Sequence, residues 1–349
     1  MKILHCIFSF TVGGAETMLV DIINQQVHNH EVGLCIINDV YDINLLNKVN
    51  RKCKILLLKR TKGSRNIGDI ITLNSMIYSF HPNIIHCHNS RIINFLLIRM
   101  IYHTIITVHD TQLPLMGVKR FKHIVGISQA VGNDLQKRNI KKYNIIHNGI
   151  VTSALSPKTT PFLSNRKQCK ILQISRLEHT KKGQHILIEA LNILFQKKTL
   201  PFVNISVDFI GDGSSLAYLQ DLVSKWGLEK SVHFLGIKDR DYIYTHIKDY
   251  DMLVQPSINE GFGLTVAEGM VVGIPVLVSN IEGPMEIINY GKYGYTFQNA
   301  VPLSLAQQIE YMIKHPDETQ QLALQGQKYA KMNYDISTMI EKYDQIYSK

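Results

Sequence analysis

Short apolar runs alternate with helix-length amphipathic segments along almost the whole chain, and this alternation limits the fold more than any other feature. The first half is predicted to contain, in order, strand 2–8, helix 15–27, strand 32–37, strand 55–58, helix 67–80, strand 83–87, helix 90–101, strand 104–108, strand 123–127 and strand 144–147. Buried strands that alternate with helices form parallel sheets covered on both faces. The sequence therefore predicts an α/β protein.

A second series of the same kind follows residues 151–168, a Ser-, Thr- and Pro-rich segment without a clear period that is predicted to be a linker. Its predicted elements are strand 170–175, helix 183–196, strand 204–210, strand 232–235, helix 239–248, strand 252–254, helix 265–272 and strand 275–279. We predict two doubly wound, Rossmann-like domains that face each other across a cleft, at residues 1–155 and 165–333. The amphipathic segment 334–349 is predicted to cross back to the first domain as a helix.

Size, cysteine content and the length of the apolar runs exclude several classes of protein. A chain of 349 residues with 45% hydrophobic composition can bury two cores of ordinary size. Five scattered cysteines without a Cys-x-x-Cys pair argue against disulfides or structural zinc and favour a reducing cytoplasm. The N-terminal apolar run is predicted to be a strand rather than a signal peptide, and no run approaches the roughly 18 apolar residues of a membrane-spanning helix.

The net charge of +10 favours an anionic partner, and nucleic acid, phospholipid and phosphorylated metabolites all have the required charge. Basic residues crowd the first half of the chain. They fit a solvated surface and a face for an anionic membrane or acceptor equally well.

The segment from Glu260 to Glu268 is the most informative motif, because it lies between a predicted buried strand and a predicted helix. Gly263 allows a close backbone approach, and the first helical amides, at Leu264 and Thr265, are unpaired donors that suit a phosphate. A carboxylate on each side can accept hydrogen bonds from sugar hydroxyls. This arrangement is typical of a site for a phosphorylated, polyhydroxylated ligand.

A basic loop follows the first strand of the second half. Arg176 and Lys182 are predicted to lie at the carboxyl edge of the sheet, where two cations can clamp a diphosphate without a metal ion. A solvated surface loop is the alternative interpretation.

Three further sets of residues in the first half end predicted strands. Gly13 and Gly14 form a close-approach loop before the first helix, although they lack the full Gly-x-Gly-x-x-Gly spacing of dinucleotide-binding proteins. His109 ends a strand at the edge where this fold class binds ligands, and its imidazole can donate to a sugar hydroxyl. His86 and His88 have no third ligand at metal-site spacing, so no metal site is predicted.

Taken together, these motifs resemble the retaining glycosyltransferases of family 4, which have the GT-B fold. The resemblance covers nearly the whole chain and is sharper in the second half. It rests on Gly13-Gly14, His109, Ser175-Arg176-Leu177 with Lys182-Gly183, Phe209 to Gly213, Pro256-Ser257 leading into Glu260 and Glu268, Gly273-x-Pro275-Val276, and Gly283-x-x-Glu286.

The resemblance implies transfer of a sugar from a nucleotide-diphosphate sugar to an acceptor hydroxyl with retention of configuration and without a metal or other cofactor. Arg176 and Lys182 would stabilise the diphosphate leaving group. Glu268 would bind the ribose, Glu260 would hold the donor sugar near its C3 and C4 hydroxyls, and His109 would touch the transferred sugar.

The same resemblance implies that the amides of Gly263, Leu264 and Thr265 contact phosphate or sugar and that the nucleobase lies near Ile237. Many family members space the Arg and Lys five residues apart, which would select Lys181 instead of Lys182, so both lysines stay open. The expected acceptor is a glycan or a polyprenyl-linked molecule that serves surface polysaccharide or lipid-linked glycan synthesis. The enzyme is expected in the cytoplasm, docked peripherally on the inner membrane. No nucleic acid partner is expected. The alternatives are a sugar-nucleotide epimerase of the same fold and a non-catalytic nucleotide-sugar-binding protein.

Overall fold

The chain folds into two compact units. The computed structural model describes residues 1–101, 103–164, 167–198 and 200–349. Unit 1 comprises Met1–Ile150 and Asp335–Lys349, and unit 2 comprises Val151–Tyr334. The predicted start of the second domain at residue 165 lies outside the described residues.

Unit 1 is built on a parallel sheet. Its strands are β1 (Lys2–Ile7), β2 (Glu31–Asn38), β3 (Lys54–Arg60), β4 (Ile84–Cys87), β5 (Thr104–Val108), β6 (His123–Gly126) and β7 (Asn144–Ile145). The helices between them are α1 (Gly14–Gln26), α2 (Ile43–Asn47), α3 (Ile67–Phe80), α4 (Ile98–Ile101) and α5 (Gln129–Lys137). The strands lie in the order β3-β2-β1-β4-β5-β6-β7, and strands β1 and β4 are almost completely buried, as expected for a sheet covered on both faces.

Unit 2 repeats this plan with its own core. Its strands are β8 (Gln168–Ile174), β9 (Asn204–Ile210), β10 (Val232–Phe234), β11 (Met252–Gln255), β12 (Val276–Ser279) and β13 (Tyr295–Phe297). Its helices are α6 (His179–Lys182), α7 (Gln184–Lys197), α8 (Leu216–Lys225), α9 (Arg240–His246), α10 (Leu264–Val272), α11 (Glu282–Ile287), α12 (Pro302–Lys314) and α13 (Pro316–Asn333). The strand order is β10-β9-β8-β11-β12-β13, with every pair parallel.

In each sheet the chain order reverses at one place, between β1 and β4 in unit 1 and between β8 and β11 in unit 2. The loops that leave the carboxyl ends of the two flanking strands diverge there, and open α/β sheets bind their ligands at this switch point. The prediction of two doubly wound α/β sheets is confirmed.

The last helix, α14 (Ile336–Tyr347), belongs to unit 1 and packs on α1. The side chain of Asp335 caps its first turn by accepting from the amide of Ser337. Residues Tyr343 and Tyr347 on its inner face are buried against the sheet. Within the described residues, no helix combines the length and the apolar character needed to cross a membrane.

The prediction of one continuous helix over residues 90–101 is wrong. A 3₁₀ turn covers Ser90–Phe95, and only α4 (Ile98–Ile101) is α-helical. The side chain of Asn74 donates to the carbonyl of Phe95 at 2.7 Å and accepts from the amide of Leu97 at 3.0 Å. These two bonds satisfy backbone groups that a continuous helix would pair internally, so the helix is interrupted at this point.

Candidate functional site

The switch point of unit 2 brings together the loops that follow β8 and β11. Helix α6 ends at Gly183, whose φ of 68° lies in the left-handed region. A Cβ on this residue would lie 1.9 Å from the carbonyl oxygen of Pro256, so only glycine allows the two loops to approach this closely. The approach places Lys182 opposite Glu260.

Lys182 and Glu260 form an ion pair, with Nζ 2.6 Å from Oε2. The same carboxylate oxygen accepts from the Gln255 amide and the Ser257 hydroxyl, each at 3.3 Å. Within the described part of the chain, Oε1 of Glu260 has no hydrogen-bond partner. The carboxylate is thus held rigidly through one oxygen while the other is left to accept from a ligand.

Lys182, one of the two lysines that the sequence left open for the diphosphate, makes this ion pair. The backbone carbonyl of Lys182 accepts from the buried amide of Gln173 at 3.0 Å, which fixes the end of α6. Lys181 instead contributes its backbone carbonyl to the amides of Ile258 and Asn259. An ammonium carries three donors, so Lys182 retains two for ligand oxygens while it contacts Glu260.

Arg176 lies in the loop after β8 with an exposed side chain, and it has no ion pair among the described residues. Its backbone carbonyl accepts from Gln184 at 2.8 Å, and Gln184 also donates to Ser175. The loop is therefore fixed by its backbone while the guanidinium is exposed to solvent. Two cationic side chains, one paired and one exposed, stand at the same strand end.

Glu268 has a different environment from Glu260. It lies on α10 with only 9% of its surface exposed, and Oε1 accepts from the hydroxyl of Tyr244 at 3.2 Å. The guanidinium of Arg240 stacks over the Tyr244 ring at 4.7 Å and hydrogen-bonds its hydroxyl. The two acids of the motif therefore have separate partners, as the sequence indicated.

The N-terminus of α10 begins at Gly263, which has a φ of 108°. Neither Leu264 nor Thr265 pairs its amide with another backbone group among the described residues, so these amides are available to an anion. Ile237, predicted to lie near a nucleobase, is 73% exposed just after β10. Each of these predicted residues thus lies in a loop or helix that begins at the carboxyl edge of the unit 2 sheet.

The predicted residues of the first half lie at the corresponding edge of unit 1. Gly13 caps α1 directly after the loop that leaves β1, and Gly14 is exposed with open space where a Cβ would be. His109 follows β5 and is half-buried. Its Nε2 lies 2.9 Å from Nδ1 of His88.

His109 belongs to a group of stacked histidines that the sequence did not reveal as a group. His5 in β1 lies opposite His86 in β4, and Nδ1 of His5 is 3.1 Å from Nε2 of His88. Burial lowers the pKa of His5 and of His109 to about 4, with Gln26 and Asp110 respectively opposing the shift. For His86 and His88, burial and the neighbouring histidines lower the pKa well below its ordinary value. All four rings are therefore neutral at pH 7.

Several residues that shape these sites were not identified from the sequence. Gln255 and Ser257 hold Glu260, Tyr244 holds Glu268, and His5 completes the histidine group. A polar side chain inside an otherwise apolar strand was the available signal for His5 and for Gln255, since each is almost fully buried. No comparable signal marks Tyr244, because its contact depends on how α9 packs.

Two models of known protein families match the chain. Residues 124–329 match the model of the family described as glycosyl transferases group 1. The chain belongs to this family. Residues 12–154 also match the model described as glycosyltransferase family 4, so the two matches together cover most of both units.

Curated relatives match parts of the chain. An uncharacterized glycosyltransferase of Methanocaldococcus jannaschii is 32% identical over 143 residues, which is 41% of this chain and 35% of that protein. Glycogen synthase of Mycobacterium tuberculosis is 26% identical over 213 residues, which is 60% of this chain and 49% of that enzyme. The chain thus spans half or less of the length of these relatives.

A solved structure matches over the full length. The crystal structure of HepE from Anabaena, in complex with UDP and glucose, has a TM-score of 0.82 at 21% identity and covers 100% of both chains. At this level of identity the likeness concerns the fold. It confirms the predicted GT-B fold.

Proposed function

We propose that the protein is a retaining glycosyltransferase that moves a sugar from a nucleoside-diphosphate sugar to an acceptor hydroxyl. The observation that carries this proposal is the Lys182–Glu260 pair at the switch point of unit 2. Membership of the glycosyl transferases group 1 family supports the reaction class. HepE, which shares the fold, was crystallised with UDP and with UDP-glucose, so a UDP-sugar is the donor we expect first.

The role that we propose for each residue follows from the contacts of its side chain. Glu260 would accept from a donor-sugar hydroxyl through Oε1, since Oε2 is already bound by three protein donors. Lys182 and Arg176 would meet the diphosphate, whose negative charge increases as the bond to the sugar breaks. The amides of Leu264 and Thr265 would add two donors. Glu268 would bind the ribose.

Metal independence is part of the same proposal. A nucleoside diphosphate leaving group needs positive charge close to it, and two side-chain cations with a helix N-terminus can supply this charge. EDTA is therefore expected to leave the transfer rate unchanged.

We further propose that the acceptor is a surface polysaccharide or lipid-linked glycan and that the enzyme works on the cytoplasmic face of a membrane. The net charge of +10 supports attraction to an anionic surface, and the five free, buried cysteines are compatible with a reducing compartment. Flotation with anionic and with neutral vesicles tests the membrane contact. Equal recovery with both would refute it.

The central experiment measures sugar transfer by Glu260→Gln. Glutamine keeps the shape and removes the charge, and a hydrogen bond to a charged group is worth about 1.5–3 kcal/mol, so kcat/KM should fall roughly 10- to 150-fold. Arg176→Met should lower turnover, whereas Lys225→Met, a change at an exposed position at the end of α8, should not. Transfer by Glu260→Gln at the wild-type rate would refute the proposal. Consumption of donor without any acceptor would instead indicate an epimerase.

A further inference from the structure

Three histidines of unit 1, namely His5, His88 and His109, form one arm of a hydrogen-bonded chain that starts at Gln26, the last residue of α1. Oε1 of Gln26 lies 2.7 Å from Nε2 of His5. Nδ1 of His5 lies 3.1 Å from Nε2 of His88, and Nδ1 of His88 lies 2.9 Å from Nε2 of His109. Within the described residues, Nδ1 of His109 is the one ring nitrogen of this arm without a partner. The arm therefore connects a buried amide to the carboxyl edge of the sheet.

A second arm leaves the same amide in the other direction. Nε2 of Gln26 lies 3.1 Å from the hydroxyl of Tyr347, which lies 2.7 Å from Nδ1 of His86. Nε2 of His86 lies 2.7 Å from the hydroxyl of Thr107, and this hydroxyl lies 2.8 Å from that of Tyr343. Both tyrosines come from α14, so the C-terminal helix takes part in the arrangement.

A neutral imidazole has one donor nitrogen and one acceptor nitrogen, so the direction of the first bond fixes every later one. If the oxygen of Gln26 accepts from His5, then His88 donates to His5 and His109 donates to His88. If the amide were turned round, each of these bonds would reverse.

The distances select one direction. A turned amide would require the Tyr347 hydroxyl to donate to an amide oxygen at 3.1 Å, which is long for an O–H···O bond. In the observed orientation Gln26 donates an N–H at 3.1 Å and accepts one at 2.7 Å, and both values are ordinary for N–H···O bonds.

We propose that Gln26, acting through His5 and His88, holds His109 in the tautomer with its proton on Nε2, so that Nδ1 accepts a hydrogen bond from a substrate hydroxyl. The inference rests on the proposed function, because it concerns the substrate of that enzyme. It reverses the expectation from the sequence that His109 donates. An ionised phosphate or carboxylate has no proton to offer to Nδ1, whereas every hydroxyl of a sugar has one.

Two observations support a proton-ordered chain over a metal site. Burial keeps the histidines neutral, so each has a single ring proton to place. Nitrogens of His5, His86 and His88 lie within 4.8 Å of one another, a spacing that a metal ion would accept. However, in the direction derived above, the acceptor nitrogens of His5 and His88 each receive a hydrogen bond from the next histidine of the arm, and a metal ion would have to displace both donors.

Nitrogen-15 NMR of the ring nitrogens tests the proposal on the free protein, without any turnover. In the wild type, His109 should show a pyrrole-type Nε2 and a pyridine-type Nδ1. Gln26→Leu removes the acceptor that orients the arm, so His109 should populate both tautomers. Gln26→Glu restores the acceptor and should restore the single tautomer. Thr107→Val interrupts only the second arm and is the matched control, for which the His109 tautomer should not change.

A kinetic measurement separates positioning from general damage. When half of the molecules hold the productive tautomer, kcat/KM should fall about twofold in Gln26→Leu and recover in Gln26→Glu. A wild-type His109 protonated on Nδ1 would overturn the proposal. So would a His109 tautomer that is unchanged in Gln26→Leu, or the binding of one metal ion per chain. Because the tautomer is read without substrate, an inactive protein with the expected tautomer would refute the proposed function and leave the ordered chain in place.

Discussion

Replacing Gly183 with alanine should destabilise unit 2 by about 1–3 kcal/mol more than the same change at Gly227. Both glycines have left-handed backbones, with φ values of 68° and 64°. A Cβ at Gly227 meets nothing within 4 Å, whereas a Cβ at Gly183 would lie 1.9 Å from the carbonyl oxygen of Pro256 and 2.8 Å from its carbon. Gly227 therefore controls for the backbone conformation, and the difference between the two variants measures the contact between the loops.

The magnitudes follow from these distances. An alanine in the left-handed region costs about 1–2 kcal/mol, a cost that both variants share. At Gly183 the backbone of one loop must also move by more than an ångström, and forced overpacking adds about 1–3 kcal/mol. We expect a loss of about 1–2 kcal/mol for Gly227→Ala and about 2–5 kcal/mol for Gly183→Ala. The movement would also separate Lys182 from Glu260, so activity should fall in Gly183→Ala alone.

Urea unfolding followed by tryptophan fluorescence measures the effect, because the single tryptophan of the chain, Trp226, packs against the core of unit 2. The midpoints should be compared at equal m-values, since a changed slope would mean that the unfolding reaction itself had changed. Equal losses in Gly183→Ala and Gly227→Ala would refute the reasoning. Such a result would mean that the loops can separate at little cost.

Three other predictions concern unit 1 and the Glu260 site. The pKa of His5 and of His109 is about 4 in the folded chain and 6.5 ordinarily, so the stability that depends on neutral rings is complete above pH 6.5 and is lost as the pH falls towards 4. At pH 5 the loss should be about 2 kcal/mol per histidine. Hydrogen exchange in β1 and β5 measures this loss, and protection that is unchanged between pH 7 and pH 5 would contradict it. Tyr347→Phe removes the hydroxyl between two buried polar groups and should cost about 1–3 kcal/mol by thermal unfolding, whereas Tyr78→Phe, at a position 58% exposed, should cost almost nothing. Ser257→Ala removes one of three donors to Glu260 and should lower kcat/KM about threefold to tenfold in a transfer assay, and a larger loss than that of Glu260→Gln would be inconsistent with its supporting role.

Much of the fold could be predicted from the sequence because it depends on local periodicity. Alternating apolar strands and amphipathic helices are visible residue by residue, and parallel connection through helices leaves few arrangements of the strands. The break in helix 90–101 was not visible, because the residue that interrupts it, Asn74, lies in another helix. When a side chain from another element pairs with the backbone groups of a segment, the sequence of that segment does not show the interruption.

The candidate site also has a part that the sequence predicted and a part that only the structure showed. The sequence by itself determined that Arg176, Lys182, Glu260 and Glu268 follow strand ends, since motif and strand lie next to each other in the chain. Only the tertiary structure decided that Lys182 rather than Lys181 contacts Glu260 and that His5 joins His88. The physical reason is that hydrogen bonds and ion pairs act over about 3 Å, and the distances between residues far apart in the chain are set by how strands and loops pack.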